Sequence, residues 1–307
     1  MEFLKFIQFQ LAEKIQPYSA FHIVSFVLMI ALTVTLCIFC RNIKEKKLSL
    51  ILMIAWGVLV FLEIYKQFVF SYSINEANEI SWHYQWYAFP YQFCATPLTF
   101  IPFIALNKAS NKVSAFIKEG AVTFCCTFNL FAGLAVMISP GDVFETYNLG
   151  ICVHTMIHHG MQMVLGIYLY VYYHAKLKYW SYLKALAVFG FFLVNAMLLN
   201  AIVPTFTNDT FNMFFISWKY PCTLPVLSDI YPKVPYIIFL LIYIVGFAIA
   251  GFIIYNIIYW ITWLVDRQKP KPVDKFDYSV VEKERWKKSS PFYFLSKISN
   301  IAIFRRL

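Results

Sequence analysis

Residues 82–99, WHYQWYAFPYQFCATPLT, run from a polar loop into an apolar helix with Cys94 near the centre. Aromatic residues crowd the entry (Trp82, Tyr84, Trp86, Tyr87, Phe89 and Tyr91). Trp and Tyr combine an apolar ring with one polar end, so this is the composition of a helix passing from headgroups into hydrocarbon. Pro90 and Pro97 bracket Gln92, Cys94 and Thr96. A proline donates no backbone hydrogen bond, so carbonyls here must find partners on other helices, on side chains or in water. The segment is therefore expected to form one wall of a cavity inside a membrane.

The remainder of the chain fits the same environment. Of 307 residues, 60% are hydrophobic, 20% aromatic and only 14% charged, which excludes an ordinary soluble domain. Seven apolar spans are long enough to cross a bilayer: 18–40, 48–70, 88–106, 114–139, 150–173, 183–203 and 235–264. The expected fold is all-α, a polytopic membrane helix bundle with seven transmembrane helices over residues 18–264. A short outer amphipathic segment (1–17) precedes it and a basic cytoplasmic tail (265–307) follows. The first span lacks a small-residue cleavage site after its apolar run and reads as an uncleaved anchor.

Charge sets the orientation. The loops at 41–47, 107–119 and 174–184 hold four, three and three Lys or Arg, and the tail holds eleven, so 21 of 26 fall on one side. Alternation through seven spans then puts the N-terminus outside and the C-terminus in the cytoplasm. The net charge of +10 is thus an insertion signal, and no nucleic-acid binding is read into it. The seven cysteines lie mostly within spans, where a small apolar residue packs well, so no disulfide framework is implied.

Polar groups recur inside the spans. FLEIYKQF in the second places Glu63, Lys66 and Gln67 on one helix face. HTMIHHGMQ in the fifth aligns His154, His158 and Gln162 at i, i+4 and i+8, with His159 turned about 100° from His158. His22 lies one turn into the first span, and the sixth carries Asn195 and Asn200. At about 1.5 Å per residue, His22, Glu63, Lys66, Cys94, His154, His158, His159 and Asn195 all fall roughly 6–13 Å below the outer boundary. Such groups are costly in hydrocarbon, so a polar chamber open to the outer leaflet is expected. Residues 205–234 between the last two spans are too apolar for a solvated loop and are expected to fold back over its mouth as a lid.

Several chemistries compete for these groups. Glu63 and Lys66 suit either a structural ion pair or a headgroup contact, and the two asparagines suit interhelical glue. HTMIHH lacks a thiolate or carboxylate at ligand spacing, so no metal and no cofactor is expected. A Cys-His couple remains, with the histidine as acid or base for a cavity nucleophile.

The segments WYAFPYQFCATPL, HTMIHHGMQ, FLEIYKQF and NMFFISWKYPCTLPVLSDIYPKVPY resemble those of the YwaF-type integral membrane proteins of low-GC Gram-positive bacteria. That group is similar to the eukaryotic transmembrane protein 164 family and, more distantly, to the androgen-induced gene hydrolases. The resemblance spans His22 to Trp263. It implies a bacterial plasma-membrane enzyme of acyl chemistry, an acyltransferase or lipid hydrolase. Cys94 matches the acyltransferase cysteine, and His159 with Gly160 matches the histidine motif, although His158 precedes it and helix geometry does not choose between them. The hydrolases' nucleophilic threonine has no secure counterpart, which favours cysteine chemistry.

The expectation is that Cys94, deprotonated by His159 or His158, attacks an outer-leaflet phospholipid ester and passes the acyl group to a lipid hydroxyl or water. Glu63 and Lys66 would hold the headgroup, His154 and His22 would line the chamber, and Gln92 or Asn195 would donate to the oxyanion. The alternative is a non-enzymatic lipid or small-molecule binder, sensor or transporter using the same chamber. A metal-dependent hydrolase would need several histidines and an acid to converge.

Overall fold

The structure, a computed structural model, describes residues 2–75, 77, 79–173 and 179–266. Its helices are α1 (Glu2–Gln8), α2 (Ala20–Phe39), α3 (Glu45–Val69), α4 (Thr96–Leu106), α5 (Lys112–Phe124), α6 (Leu130–Ile138), α7 (Leu149–Tyr173), α8 (Tyr179–Ile202), α9 (Leu227–Ile230) and α10 (Tyr236–Asp266). A hairpin of β1 (Tyr72–Ile74) and β2 (Ile80–Trp82) follows α3, with Ser73 opposite Ser81. Among the described residues, five helical stretches are long and apolar enough to cross a membrane: Ala20–Phe39, Glu45–Val69, Lys112–Ile138, Trp180–Thr205 and Tyr236–Ile261. The protein is a helical, multi-pass membrane protein.

One of the seven expected spans takes another form. Span 88–106 becomes 3₁₀ turns at Trp86–Ala88 and Phe93–Ala95 and then the 11-residue α4, because Pro90 and Pro97 interrupt the ladder at its start. Span 150–173 is the full-length α7, less apolar than those five because of its polar stripe. The hairpin also departs from an all-α expectation; Tyr72, Trp82 and Phe68 pack there as a tilted aromatic trio. Residues 267–307, most of the basic tail, lie outside the described residues.

α7 is the central helix. It packs against α2, α3, α5 and α6, and 17 of its 25 residues are buried, which is why a helix with three histidines can sit there. α2 and α10 are apolar all round, with Ile23, Val27, Ile30 and Ile249, Ile253, Ile257 exposed; such faces belong against lipid. Glycine lets α5–α6 and α7 close on each other. A Cβ at Gly133 would lie 2.6 Å from the His159 carbonyl and 2.8 Å from the Met163 nitrogen, and one at Gly166 would lie 2.9 Å from the Cys125 carbonyl.

Between α5 and α6 the chain makes a π-helical turn, Cys125–Asn129. Two hydroxyls bear on it: Thr123 Oγ1 bonds the Glu119 carbonyl at 2.8 Å and Thr127 Oγ1 bonds that of Thr123 at 2.7 Å. Side-chain donors on i−4 carbonyls loosen and bend the helical ladder. The extra residue of the turn swings Asn129 into the interior, where it is fully buried.

Outside the helices, the N-terminal segment is strapped to the loop before α7. Leu11 N–H donates to Tyr147 O at 2.8 Å, Leu149 N–H to Phe9 O at 3.2 Å, and Lys14 Nζ meets Glu145 Oε2 at 2.6 Å. That carboxylate holds the exposed Lys14 ammonium above its ordinary range. Residues 205–234 fold back onto the bundle and bury Phe211, Met213, Phe214 and Ile216 completely.

The glycine seam generates a prediction. Gly133→Ala puts a methyl against backbone on α7, so α6 and α7 must separate, at a cost of about 1–3 kcal/mol for overpacking. A thermal melt in detergent is expected to fall relative to wild type, whereas Gly57→Ala, with open space around its Cβ position, is expected to melt at or above it.

Candidate functional site

Proline sets up the site. Pro97 cannot donate to the Phe93 carbonyl, and Pro102 cannot donate to that of Leu98, each four residues back. Both carbonyls are met by other groups. Trp56 Nε1 on α3 donates to Leu98 O at 2.8 Å. Phe93 O is reached by Gln162 Nε2 of α7 at 3.4 Å and by Thr96 Oγ1 at 2.8 Å, besides the Thr96 backbone N–H. The turn carrying Cys94 is thereby pinned to α7, one helical turn from His158 and His159.

Beside it lies a charged cluster from α3 and α7. Glu63 Oε1 accepts from Lys66 Nζ at 2.8 Å and from Gln67 Nε2 at 2.6 Å, while Oε2 faces His154 Nε2 at 3.0 Å. Glu63, His154 and His158 are buried. The rings of His154 and His158 stack at 4.0 Å, and His158 Nε2 donates to Leu59 O at 3.2 Å. Gln67 Nε2 also donates to Ala88 O at 2.8 Å, and its Oε1 receives the Tyr84 hydroxyl at 2.5 Å. Burial, and then the Glu63 carboxylate, push the Tyr84 phenol up to about 12, so it stays a donor at physiological pH.

His159 stands apart from this chain of contacts. Its Nδ1–H donates to the Thr155 carbonyl at 2.9 Å. A carbonyl only accepts, so the other nitrogen, Nε2, carries the lone pair and can take a proton. Cys94 is half-buried and free of any disulfide. No hydrogen bond joins its thiol to either histidine among the described residues.

The other expected site residues are dispersed. His22 is spent on both nitrogens, accepting from Tyr18 N–H at 3.1 Å and donating to Met137 O at 3.0 Å, and it ties α2 to α6. Gln92 clamps the returning segment, donating to Asn212 O and accepting from Phe214 N–H, both at 2.9 Å. Asn195 donates to Phe191 O of its own helix at 2.7 Å, on a face where Phe191, Val194 and Leu198 are exposed. Neither amide is therefore placed as an oxyanion donor. Depth along a helix is one coordinate; the direction a side chain takes around the axis is another, and only packing supplies it.

Thr96 and Gln162 meet at the Phe93 carbonyl and Asn129 joins them through Thr96, an arrangement that sequence alone does not mark. Thr96 Oγ1 lies 2.9 Å from Asn129 Oδ1. Their sequence signal is faint: an asparagine inside the apolar span 114–139 and a glutamine continuing the histidine stripe. The expectation of no metal rested on the lack of a carboxylate near the histidines in sequence, and here the fold supplies one. One ligand atom each from Glu63, His154 and His158 lie within 4.8 Å of one another, a His₂-carboxylate set of a kind that holds divalent ions. Lys66 already brings a positive charge to Glu63.

Residues 17–267 match the model of the TMEM164 family. Neither a curated protein nor a solved structure matches the chain.

The buried charges yield a test of their coupling. Lys66→Met strips the ammonium partner from Glu63, and Glu63→Gln leaves Lys66 uncompensated; each is expected to destabilise by about 3–5 kcal/mol. The double variant is expected to recover part of that loss, read as non-additive melting temperatures in a double-mutant cycle. Additive losses would mean that the pair is not an energetic unit.

Proposed function

The chain belongs to the TMEM164 family, and on that premise we propose that it is a membrane-embedded acyl-chemistry enzyme acting on lipid esters through Cys94 and His159. The observation that carries the reading is the state of His159: its Nδ1–H is fixed on Thr155 O, leaving Nε2 as a base on the helix that holds the Cys94 turn through Gln162 and Phe93 O. His158, enclosed between His154 and Leu59 O, serves as support for the stripe. Cys94 also stands just before the N-terminus of α4, whose aligned dipoles favour a thiolate.

In this proposal seven helical elements cross the bilayer, α4 with its 3₁₀ turn and α7 among them, with the N-terminus outside and the C-terminus in the cytoplasm. The outer leaflet of a bacterial plasma membrane supplies the phospholipid. Lys66 spends one contact on Glu63, and its ammonium has two further protons for a phosphate oxygen of the headgroup. Cys94 attacks the acyl carbonyl, His159 takes the thiol proton and returns it to the departing lysolipid oxygen, and a lipid hydroxyl or water resolves the thioester.

A second reading rests on the Glu63, His154 and His158 set, which supports a divalent-metal hydrolase. A non-enzymatic binder is the third. One experiment separates them: label membranes with a cysteine-reactive lipid probe in wild type, Cys94→Ala and His159→Ala, and measure zinc in the purified protein. The expected result is labelling lost in Cys94→Ala, strongly slowed in His159→Ala, and indifferent to chelation. Stoichiometric zinc that disappears in Glu63→Gln, with labelling unaffected by either active-site change, would favour the metal reading. Equal labelling of all variants without zinc would favour the binder.

A further inference from the structure

The proposed acyl transfer needs a donor for the negative oxygen of its tetrahedral intermediate, and the amides expected from sequence are engaged elsewhere. Gln92 holds Asn212 and Phe214, and Asn195 holds Phe191. Asn200 donates to Met213 O at 2.9 Å, Asn212 to Pro221 O at 2.9 Å, and the Asn148 oxygen takes Tyr65 and the Ile151 N–H. Asn129 is different: it is completely buried, and its Nδ2 has no partner among the described residues. Gln162, also completely buried, has its Oε1 unpartnered in the same way. Unpaired buried polar atoms are rare in folded proteins and each needs a reason.

The Asn129 amide is oriented with its oxygen toward the Thr96 hydroxyl. Thr96 Oγ1 carries one proton and lies near two acceptors, Phe93 O at 2.8 Å and Asn129 Oδ1 at 2.9 Å. Phe93 O already receives the Thr96 backbone N–H and approaches Gln162 Nε2. With the Thr96 hydroxyl directed at Asn129 Oδ1, Nδ2 is the end without a partner among the described residues. Asn129, through Thr96, and Gln162, directly, are thus both tied to the carbonyl of the residue just before Cys94, each with one polar atom unpartnered among the described residues. The π-helical turn places the donor there, and such turns are frequent at functional sites.

We propose that the Asn129 carboxamide, oriented by Thr96, is the oxyanion donor of this site, receiving the carbonyl oxygen of an ester-linked acyl chain. The inference rests on the Cys94 reading above. The Cys94 sulfur forms a bond to the acyl carbon while the C=O π pair moves to the oxygen, where Asn129 Nδ2–H meets it. The pair then returns, the ester C–O bond breaks, and the lysolipid oxygen leaves with the proton held by His159. The Gln162 Oε1 atom is the complementary acceptor for the hydroxyl, lipid or water, that next attacks the thioester.

Two probes on full-length protein in liposomes test this. A lipid iodoacetamide alkylates a thiol at a saturated carbon and forms no oxyanion; a 4-methylumbelliferyl fatty ester acylates it and does. Asn129→Ala and Thr96→Val are expected to slow umbelliferone release by about 100- to 1,000-fold for Asn129 and less for Thr96, with Cys94 alkylation at the wild-type rate. That retained alkylation, absent in Cys94→Ala, also reports that the variants are folded, and Thr96→Val keeps side-chain volume should Asn129→Ala insert poorly. Unchanged ester turnover would overturn the proposal, as would parallel loss of both reactions in variants that melt like wild type. Wild type that is alkylated at Cys94 but never releases umbelliferone would remove the acyl reading itself, and this inference with it.

Discussion

The N–H that Pro97 lacks leaves the Phe93 carbonyl free, and much of the interior is arranged to satisfy it. At membrane depth an unpaired carbonyl costs about 1–3 kcal/mol or more, since there is no water to take its place. Two N–H donors from two elements converge on it, the Thr96 backbone N–H and Gln162 Nε2 across from α7, with the Thr96 hydroxyl beside them. The same need recurs one turn later, where Trp56 answers the carbonyl freed by Pro102. Proline thus exchanges local helical bonds for tertiary ones, and the exchange fixes where Cys94 sits.

Around that point the polar groups fall into two connected but distinct sets. Glu63, Lys66, Gln67, Tyr84, His154 and His158 form a chain in which almost every donor has an acceptor. A network satisfied to that extent rigidifies its surroundings. The set nearer Cys94 is less complete, with unpaired atoms on Asn129 and Gln162 and an unspent nitrogen on His159. Hydrogen-bonding capacity is thus almost fully used in one set and partly unused in the other among the described residues.

The segment 205–234 is held over this region at some cost. Phe214 and Phe215 both have φ of 58°, a conformation that costs a bulky residue roughly 1–2 kcal/mol. Amide side chains compensate: Asn200 pairs with both backbone groups of Met213, and Gln92 grips Asn212 O and Phe214 N–H. Phe214 in turn packs on Phe93 and Tyr91, with ring centroids 5.3 and 5.9 Å away. The cover over the bundle and the Cys94 turn are therefore mechanically one unit.

The sequence by itself determined the class of the protein and the inventory of its interior. Apolar composition and run length are local quantities, and the lack of water in hydrocarbon forces such runs into helices. The same logic marks Glu63, Lys66, Cys94 and the histidines as unusual, because a polar group there must earn its place. Helical periodicity put His154 and His158 on one face, and they stack. What tertiary structure decided was which faces meet. Glu63 reaches His154 from another helix, Asn195 turns back on its own, Gln92 is drawn to the returning segment, and Asn129 is swung inward by a π-helical turn. Periodicity fixes a side chain's direction only relative to its own axis. The rotation of that axis against its neighbours is set by close packing, here through Gly133 and Gly166, and by the carbonyls that proline leaves to be satisfied from afar.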